Sequence, residues 1–153
     1  MAAEQLPIKL KRAAKRDIRT QFGALIYRRK EGKIQILLIS SRGTGRWIIP
    51  KGWPMLGKRP AEAAAQEAWE EAGVKGEVSD QSVGVYTYMK TGTKFGTLPC
   101  LVNVYPVKAR KLLKSFPEAS QRKRKWVSQK KAAKLVKERE LSRLISSFDP
   151  RHY

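Results

Sequence analysis

Apolar runs and their breaks mark most elements of this chain. Thr20 to Arg28 (TQFGALIYR) mixes β-branched, aromatic and aliphatic residues and predicts a strand. Ile34 to Ser40 (IQILLIS) predicts a second, and the turn signal Lys30-Glu31-Gly32-Lys33 between them makes a hairpin. A loop from Ser41 to Arg46 leads to a short apolar strand, Trp47-Ile48-Ile49, that Pro50 ends. Lys51 to Arg59, with Gly52, Pro54 and Gly57, reads as a loop, and Pro60 stands where helices favour a first-turn proline. Ala61 to Ala72 (AEAAAQEAWEEA) has high helix propensity, with Gly73 as its C-cap. Ser82–Lys90 and Leu98–Lys108 predict two further strands around a glycine-bearing turn, Thr91 to Gly96. Arg124–Val127 predicts a short strand, Ser128 caps a helix over about Gln129–Val136, and a last short helix runs near Arg139–Phe148. Strands, helix, strands, helices is an α+β order without internal repeat.

Composition narrows the chemistry. A chain of 153 residues fits one domain, here residues 17–149, after a basic arm over 1–16 that carries Lys9, Lys11, Arg12, Lys15 and Arg16. Lysine and arginine total 33 against 13 acidic residues, a net charge of +20. Such an excess implies a polyanionic partner: a nucleic acid, a polyphosphorylated small molecule or an acidic membrane surface. The single cysteine, Cys100, allows neither an internal disulfide nor a cysteine-based zinc site. The single histidine, His152, argues against a histidine-rich metal site and against Ser-His-Asp or Cys-His catalysis. No apolar run reaches the roughly 18 residues of a membrane span, and the first residues lack the apolar core of a secretory signal. A cytoplasmic monomer or homodimer is the expectation, since Glu4 also sits badly in a transit peptide.

Against that basic background, Glu67, Glu70 and Glu71 crowd within two turns of the predicted helix. Residues three and four apart are neighbours on a helix, and like charges there repel by a few tenths of a kcal/mol per pair. A hard divalent cation resolves the conflict, because Mg²⁺ binds through carboxylates and keeps positions for water and phosphate oxygens. One compact acidic spot on a basic chain therefore points to metal-assisted chemistry on a polyanion.

The segment Gly52–Val74 (GWPMLGKRPAEAAAQEAWEEAGV) resembles the signature box of the Nudix hydrolases. Gly52 matches its first glycine, and Glu67, Glu70, Glu71, Gly73 and Val74 match its helical end at the right spacing. The flanks are similar too, with Gly23-Ala24 in the first strand and the approach Trp47 to Gly52, so the resemblance covers most of the chain. It implies an α/β/α sandwich around a mixed sheet, and Mg²⁺- or Mn²⁺-dependent hydrolysis of a phosphoanhydride. By the same resemblance Glu67 and Glu71 are the principal metal ligands, Glu70 is a ligand or the general base, and the Gly52 backbone approaches metal or phosphates. Two positions depart from the pattern: Lys58 replaces its glutamate and Gln66 its arginine, and a Lys58–Gln66 hydrogen bond is the expected substitute. Glu62, offset by four residues, is expected on the surface.

Arg42, Arg46, Lys51, Lys58 and Arg59 surround the box, and Arg122-Lys123-Arg124-Lys125 precedes Trp126. Many cations around one site suit a substrate with many phosphates. With the box lead-in, these features look most like diphosphoinositol polyphosphate phosphohydrolases and their bacterial relatives, a group that also tends to cleave diadenosine polyphosphates. Arg42, Arg46, Lys51, Gly52, Lys58, Arg122 and Arg124 are accordingly the expected substrate contacts, against the alternative that residues 122–125 form a solvated strand edge. Trp53 either stacks on a ligand or anchors its loop. Tyr86, Tyr88 and Phe95 are candidate cleft residues, while alternation in Val85-Tyr86-Thr87-Tyr88 equally fits a half-buried strand, and one tyrosine is expected in the core and the other on the surface. Removal of pyrophosphate from an RNA 5′ end, and non-catalytic nucleic-acid binding on the same fold, are the competing readings.

Overall fold

The structure, a computed structural model, describes residues 18–94 and 96–153. The basic arm and Phe95 therefore lie outside the described residues. Eight strands form one mixed sheet. In chain order the elements are β1 (Arg19–Lys30), β2 (Lys33–Ser40), β3 (Trp47–Ile48), β4 (Lys51–Gly52), α1 (Pro60–Ala72), β5 (Val74–Val78), β6 (Gly84–Thr93), β7 (Gly96–Leu112), β8 (Arg124–Ser128), α2 (Gln129–Leu135) and α3 (Arg139–Ser147). A short 3₁₀ turn, Pro150–His152, follows.

β1 is the axis of the sheet. Its far half pairs antiparallel with β2, its near half takes Lys51 and Gly52 antiparallel, and its other edge runs parallel to β7 from Arg19↔Cys100 to Tyr27↔Lys108. A strand so placed is covered on both faces, which is why Gly23 to Tyr27 is a continuous buried run rather than an alternating one. Ala24 and Ile26 of β1, with Leu37 and Ile39 of β2, face α1. Leu25 and Tyr27, with Ile36 and Leu38, face α2 and α3. The outcome is the α/β/α sandwich expected from the resemblance.

α1 packs on the sheet through Ala61, Ala64, Ala68 and Ala72, side chains small enough to bring the helix backbone close. Its start is closed by Glu62, whose carboxylate accepts from the Arg59 backbone N–H at 3.0 Å, so Glu62 is a capping residue. Its end is closed by Gly73 in the left-handed region at φ 67°, with the Phe116 ring lying where a Cβ would project. Ser128 caps α2 by accepting from the Lys131 N–H at 3.2 Å.

The predicted elements are present, with three differences. β5 is absent from the sequence reading because Val74–Val78 (VKGEV) has only two apolar residues; its partner β7 holds it, and β7 itself runs on to Leu112 as a result. β4 is two residues of loop captured by β1. The turn expected over Thr91–Gly96 is shorter, because the β6–β7 ladder continues to Thr93↔Gly96.

Candidate active site

The box folds into a loop, β4 and α1, and β4 lies directly over the acidic face of α1. Glu67 and Glu71 are both buried, at 6% and 8% exposure. A Cβ on Gly52 would collide with the Glu67 carboxylate, so the glycine is needed for this close approach. The Lys51 backbone N–H donates to Glu71 Oε1 at 3.4 Å. Glu67 and Glu71 lie within hydrogen-bonding reach of each other. Burial, then the neighbouring Glu71, pushes the Glu67 carboxyl up to about 9. Burial also raises Glu71, against the pull of Arg122 and Lys51. Two buried carboxyls that cannot both ionise alone are a site in want of positive charge.

Glu70 stands apart from that pair. Its carboxylate accepts from Gln66 Nε2 at 3.2 Å, and its backbone carbonyl accepts from the Glu118 N–H at 3.0 Å. Successive helical residues are about 100° apart, so Glu70 cannot share the direction of both Glu67 and Glu71. Among the described residues no three His, Cys, Asp or Glu side chains converge as a ready-made metal nest. The donor set nonetheless fits a hard divalent cation, which needs only one or two carboxylates when waters and substrate phosphates complete its shell.

Beside the pair opens a cavity of about 440 Å³. Its lining includes Arg42, Arg46, Lys51, Lys90 and Arg122, together with Glu71, Gln21, Tyr88 and Thr44. Each cation has a distinct setting. Arg122 Nη2 bridges Glu71 Oε1 at 3.4 Å and Glu118 Oε1 at 3.0 Å, while its Nη1 donates to the Ser40 carbonyl. Arg46 Nη1 reaches both oxygens of Glu138 at 3.0 Å. Arg42 is exposed and 3.7 Å from Glu118. Lys51 packs over the Tyr88 ring at 4.9 Å, and burial draws its ammonium down to about 8. Tyr88 OH donates to Gln21 Oε1 at 2.5 Å, and Tyr86 is buried in the core; two positions apart on β6, both tyrosines share the core-facing side of the strand, with Tyr88 half-buried against the same cluster, rather than dividing between core and surface.

Three expected substrate contacts, Gly52, Lys58 and Arg124, are outside the cavity lining, and Gly52 lies against the Glu67 carboxylate. Lys58 is exposed in the loop before α1, outside the cavity lining, and Gln66 bonds Glu70 rather than Lys58. Among the described residues no carboxylate pairs with this lysine, and it faces solvent. Arg124 also misses the cavity. Its Nη1 donates to the carbonyls of Ala72 and Leu113 at 3.0 and 2.8 Å, and its guanidinium covers the Phe116 ring at 4.8 Å. Arg122 lies in the connection before β8, beside Glu118, whereas Arg124 opens β8 and projects onto the end of α1, where a helix leaves its last carbonyls without partners. Trp53 is half-buried, and Lys90 lies over its ring at 6.0 Å.

Sequence reading missed Glu118 and Glu138, the carboxylates that orient Arg122 and Arg46, and it missed Lys90. Glu118 sits in the connection between β7 and β8, and Glu138 precedes α3, so neither carries a local signal. Only the tertiary pairing brings them to those arginines.

The comparisons agree with this geometry. The NUDIX domain model matches residues 17–147. Nudix hydrolase 21, chloroplastic, of Arabidopsis thaliana is 32% identical over 130 residues, 82% of this chain and 64% of that protein. Human diphosphoinositol polyphosphate phosphohydrolase 3-alpha is 33% identical over 111 residues, 71% of this chain and 63% of that protein. The chain thus spans roughly three-fifths of the length of the curated relatives it matches. A C. elegans Ap4A hydrolase structure superposes with a TM-score of 0.60 at 22% identity, covering 84% of this chain and 94% of that one. The NUDIX domain of Shewanella oneidensis NrtR, complexed with ADP ribose, gives 0.62 at 11% identity, covering 90% and 92%. With the box glycine seated on a buried glutamate pair and the domain matched over nearly its whole length, the chain belongs to the Nudix family.

Proposed function

We propose that this chain hydrolyses a phosphoanhydride in a highly phosphorylated small molecule, such as a diphosphoinositol polyphosphate or a diadenosine polyphosphate. The observation that carries this reading is the juxtaposition of the buried Glu67–Glu71 pair with a cavity whose lining holds five cations. Glu67 and Glu71 would hold a divalent cation, Mg²⁺ or Mn²⁺. When bound, that cation offsets phosphate charge and favours ionisation of a coordinated water. Lys51, at the cavity floor beside Glu71, neutralises phosphate oxygens nearest the pair. Arg122, already fixed by Glu118 and Ser40, presents a guanidinium whose geometry suits a phosphate fork. Arg42 and Lys90 extend positive charge along the lining, which favours additional phosphates over a single one. Glu70, oriented by Gln66, is the remaining acceptor for a proton from water.

A non-catalytic module on this fold is the weaker reading, because a binder of polyanions gains nothing from burying two carboxyls next to its cations. The names of similar proteins, a diphosphoinositol polyphosphate phosphohydrolase and an Ap4A hydrolase, support the substrate class. The test is phosphate release, with Mg²⁺ or chelator, on a diphosphoinositol polyphosphate, diadenosine penta- and hexaphosphate, ADP-ribose, dGTP and 5′-triphosphorylated RNA. Chelator-sensitive turnover that favours the first three supports the proposal, and Glu71→Gln should abolish it. Turnover confined to RNA, or near-normal turnover by the Glu71→Gln protein, overturns the substrate class or the site respectively.

A further inference from the structure

The α2–α3 hairpin forms an outer layer on the opposite side of the sheet from α1. Its inner side is apolar, with Ala132, Ala133, Leu141 and Ile145 buried in the core. Its outer side carries Lys130, Lys131, Lys134, Lys137, Arg139 and Arg143, all exposed. None of these six side chains has a carboxylate partner among the described residues. The hairpin's two carboxylates are both engaged by residues outside the hairpin. Glu138 is taken by Arg46 at 3.0 Å, and Glu140 accepts from the Thr87 backbone N–H and hydroxyl at 3.1 and 2.9 Å. Six like charges on two short helices and the turn between them repel one another, so the surface is stabilised by an external polyanion.

We propose that the outer surface of the α2–α3 hairpin docks the phosphate backbone of a nucleic acid without reading base sequence. The alternative partner, an acidic membrane, fits less well. Membrane-surface helices place an apolar face against the lipid, and the apolar face here is spent on the core. The large exposed hydrophobics are Leu56, Val85, Met89, Leu112 and Tyr153, none of them on the hairpin. The outer surface also has no aromatic platform for stacking bases, so phosphate contacts dominate and the favoured ligand is a duplex. This inference stands apart from the hydrolase reading, and hydrolysis enters only as a control.

The test is fluorescence anisotropy of the full chain with a labelled duplex of arbitrary sequence over a salt series. Two variants remove the same number of charges: Lys131→Gln, Lys134→Gln, Lys137→Gln, Arg143→Gln on the hairpin, and Lys75→Gln, Lys108→Gln, Lys111→Gln, Lys114→Gln on the β5–β7 side. The hairpin variant should bind roughly tenfold or more weakly, and its log affinity should lose about 3 to 4 from its slope against log salt, at ~0.9 per phosphate contact. The β5–β7 variant should retain most of the affinity, and both should keep their melting temperature and small-substrate turnover. Equal losses in the two variants would mean that net charge alone binds, and would overturn the proposal. So would absence of duplex binding by the unaltered chain at low salt, or binding to phosphatidylserine vesicles that the hairpin variant loses while duplex binding persists.

Discussion

Arg124→Met separates two roles that the sequence cannot tell apart. In the structure one nitrogen, Nη1, uses both its hydrogens, on the carbonyls of Ala72 and Leu113. Ala72 is the last residue of α1, and that helix has no basic residue in its own last turn. Arg124 thus supplies from β8 the cation that a helix C-terminus favours. Hydrogen bonds to a charged group contribute about 1.5–3 kcal/mol each when buried. Partial exposure and the shared donor place the pair nearer the lower figure, so the expected loss is about 2–4 kcal/mol. Methionine keeps an unbranched stem over Phe116, so packing is largely retained. For a domain of this size each kcal/mol moves the midpoint by roughly 2–4 °C, giving a fall of roughly 4–16 °C. Scanning calorimetry measures that fall, and steady-state kinetics on a multi-phosphate substrate should show an unchanged KM. Arg122→Met should do the reverse at KM, because its guanidinium lines the cavity. A midpoint within 1 °C of the parent together with a roughly tenfold rise in KM for Arg124→Met would refute the clamp and restore a substrate contact.

Further outcomes follow from the same contacts. Gly52→Ala should cost at least roughly tenfold in turnover, since the Cβ displaces the Glu67 carboxylate; a fully active alanine variant would show that this approach is dispensable. In chelator, stability should fall as pH rises from the ordinary carboxyl value of 4.5 to about 9, because the unfolded chain ionises Glu67 while the folded chain resists it. Thermal midpoints across that range should flatten in Glu67→Gln, and an equally steep profile there would assign the dependence to other groups. Ser128→Ala removes the α2 cap and should cost about 1 kcal/mol in chemical denaturation.

Legibility in the sequence followed the range of the interaction involved. Helix α1 was readable to its ends because Pro60, the alanines and Gly73 act locally. The strands with their own apolar runs, β1, β2, β6 and β7, were readable for the same reason. β5 was not, because Lys75, Gly76 and Glu77 have no strand preference and depend on β7 for their pairing. At the site, the box located Gly52, Glu67 and Glu71. Residue type alone could not divide the cations. Arg122 and Arg124 are two positions apart with the same side chain, yet one enters the cavity and the other binds a helix end. The carboxylates that decide such assignments, Glu118 and Glu138, come from distant segments.

The parallel ladder between β1 and β7 has a consequence for biosynthesis. Arg19 and Cys100 are paired across 81 positions of chain. Closing a loop of that length is entropically mild, since the cost grows only with the logarithm of its size. The burden falls instead on timing. As the chain emerges, β1 and β2 can pair at once through their four-residue turn region, leaving the other edge of β1 open until the second half of the protein has been made. That edge belongs to a strand whose Ala24, Leu25 and Ile26 are all fully buried in the finished fold. An unpaired apolar edge is a template for association with other chains. For this protein the interval between synthesis of β1 and of β7 is therefore the period of greatest exposure to aggregation, and the cavity, whose lining spans Gln21 to Arg122, takes shape only when that interval closes.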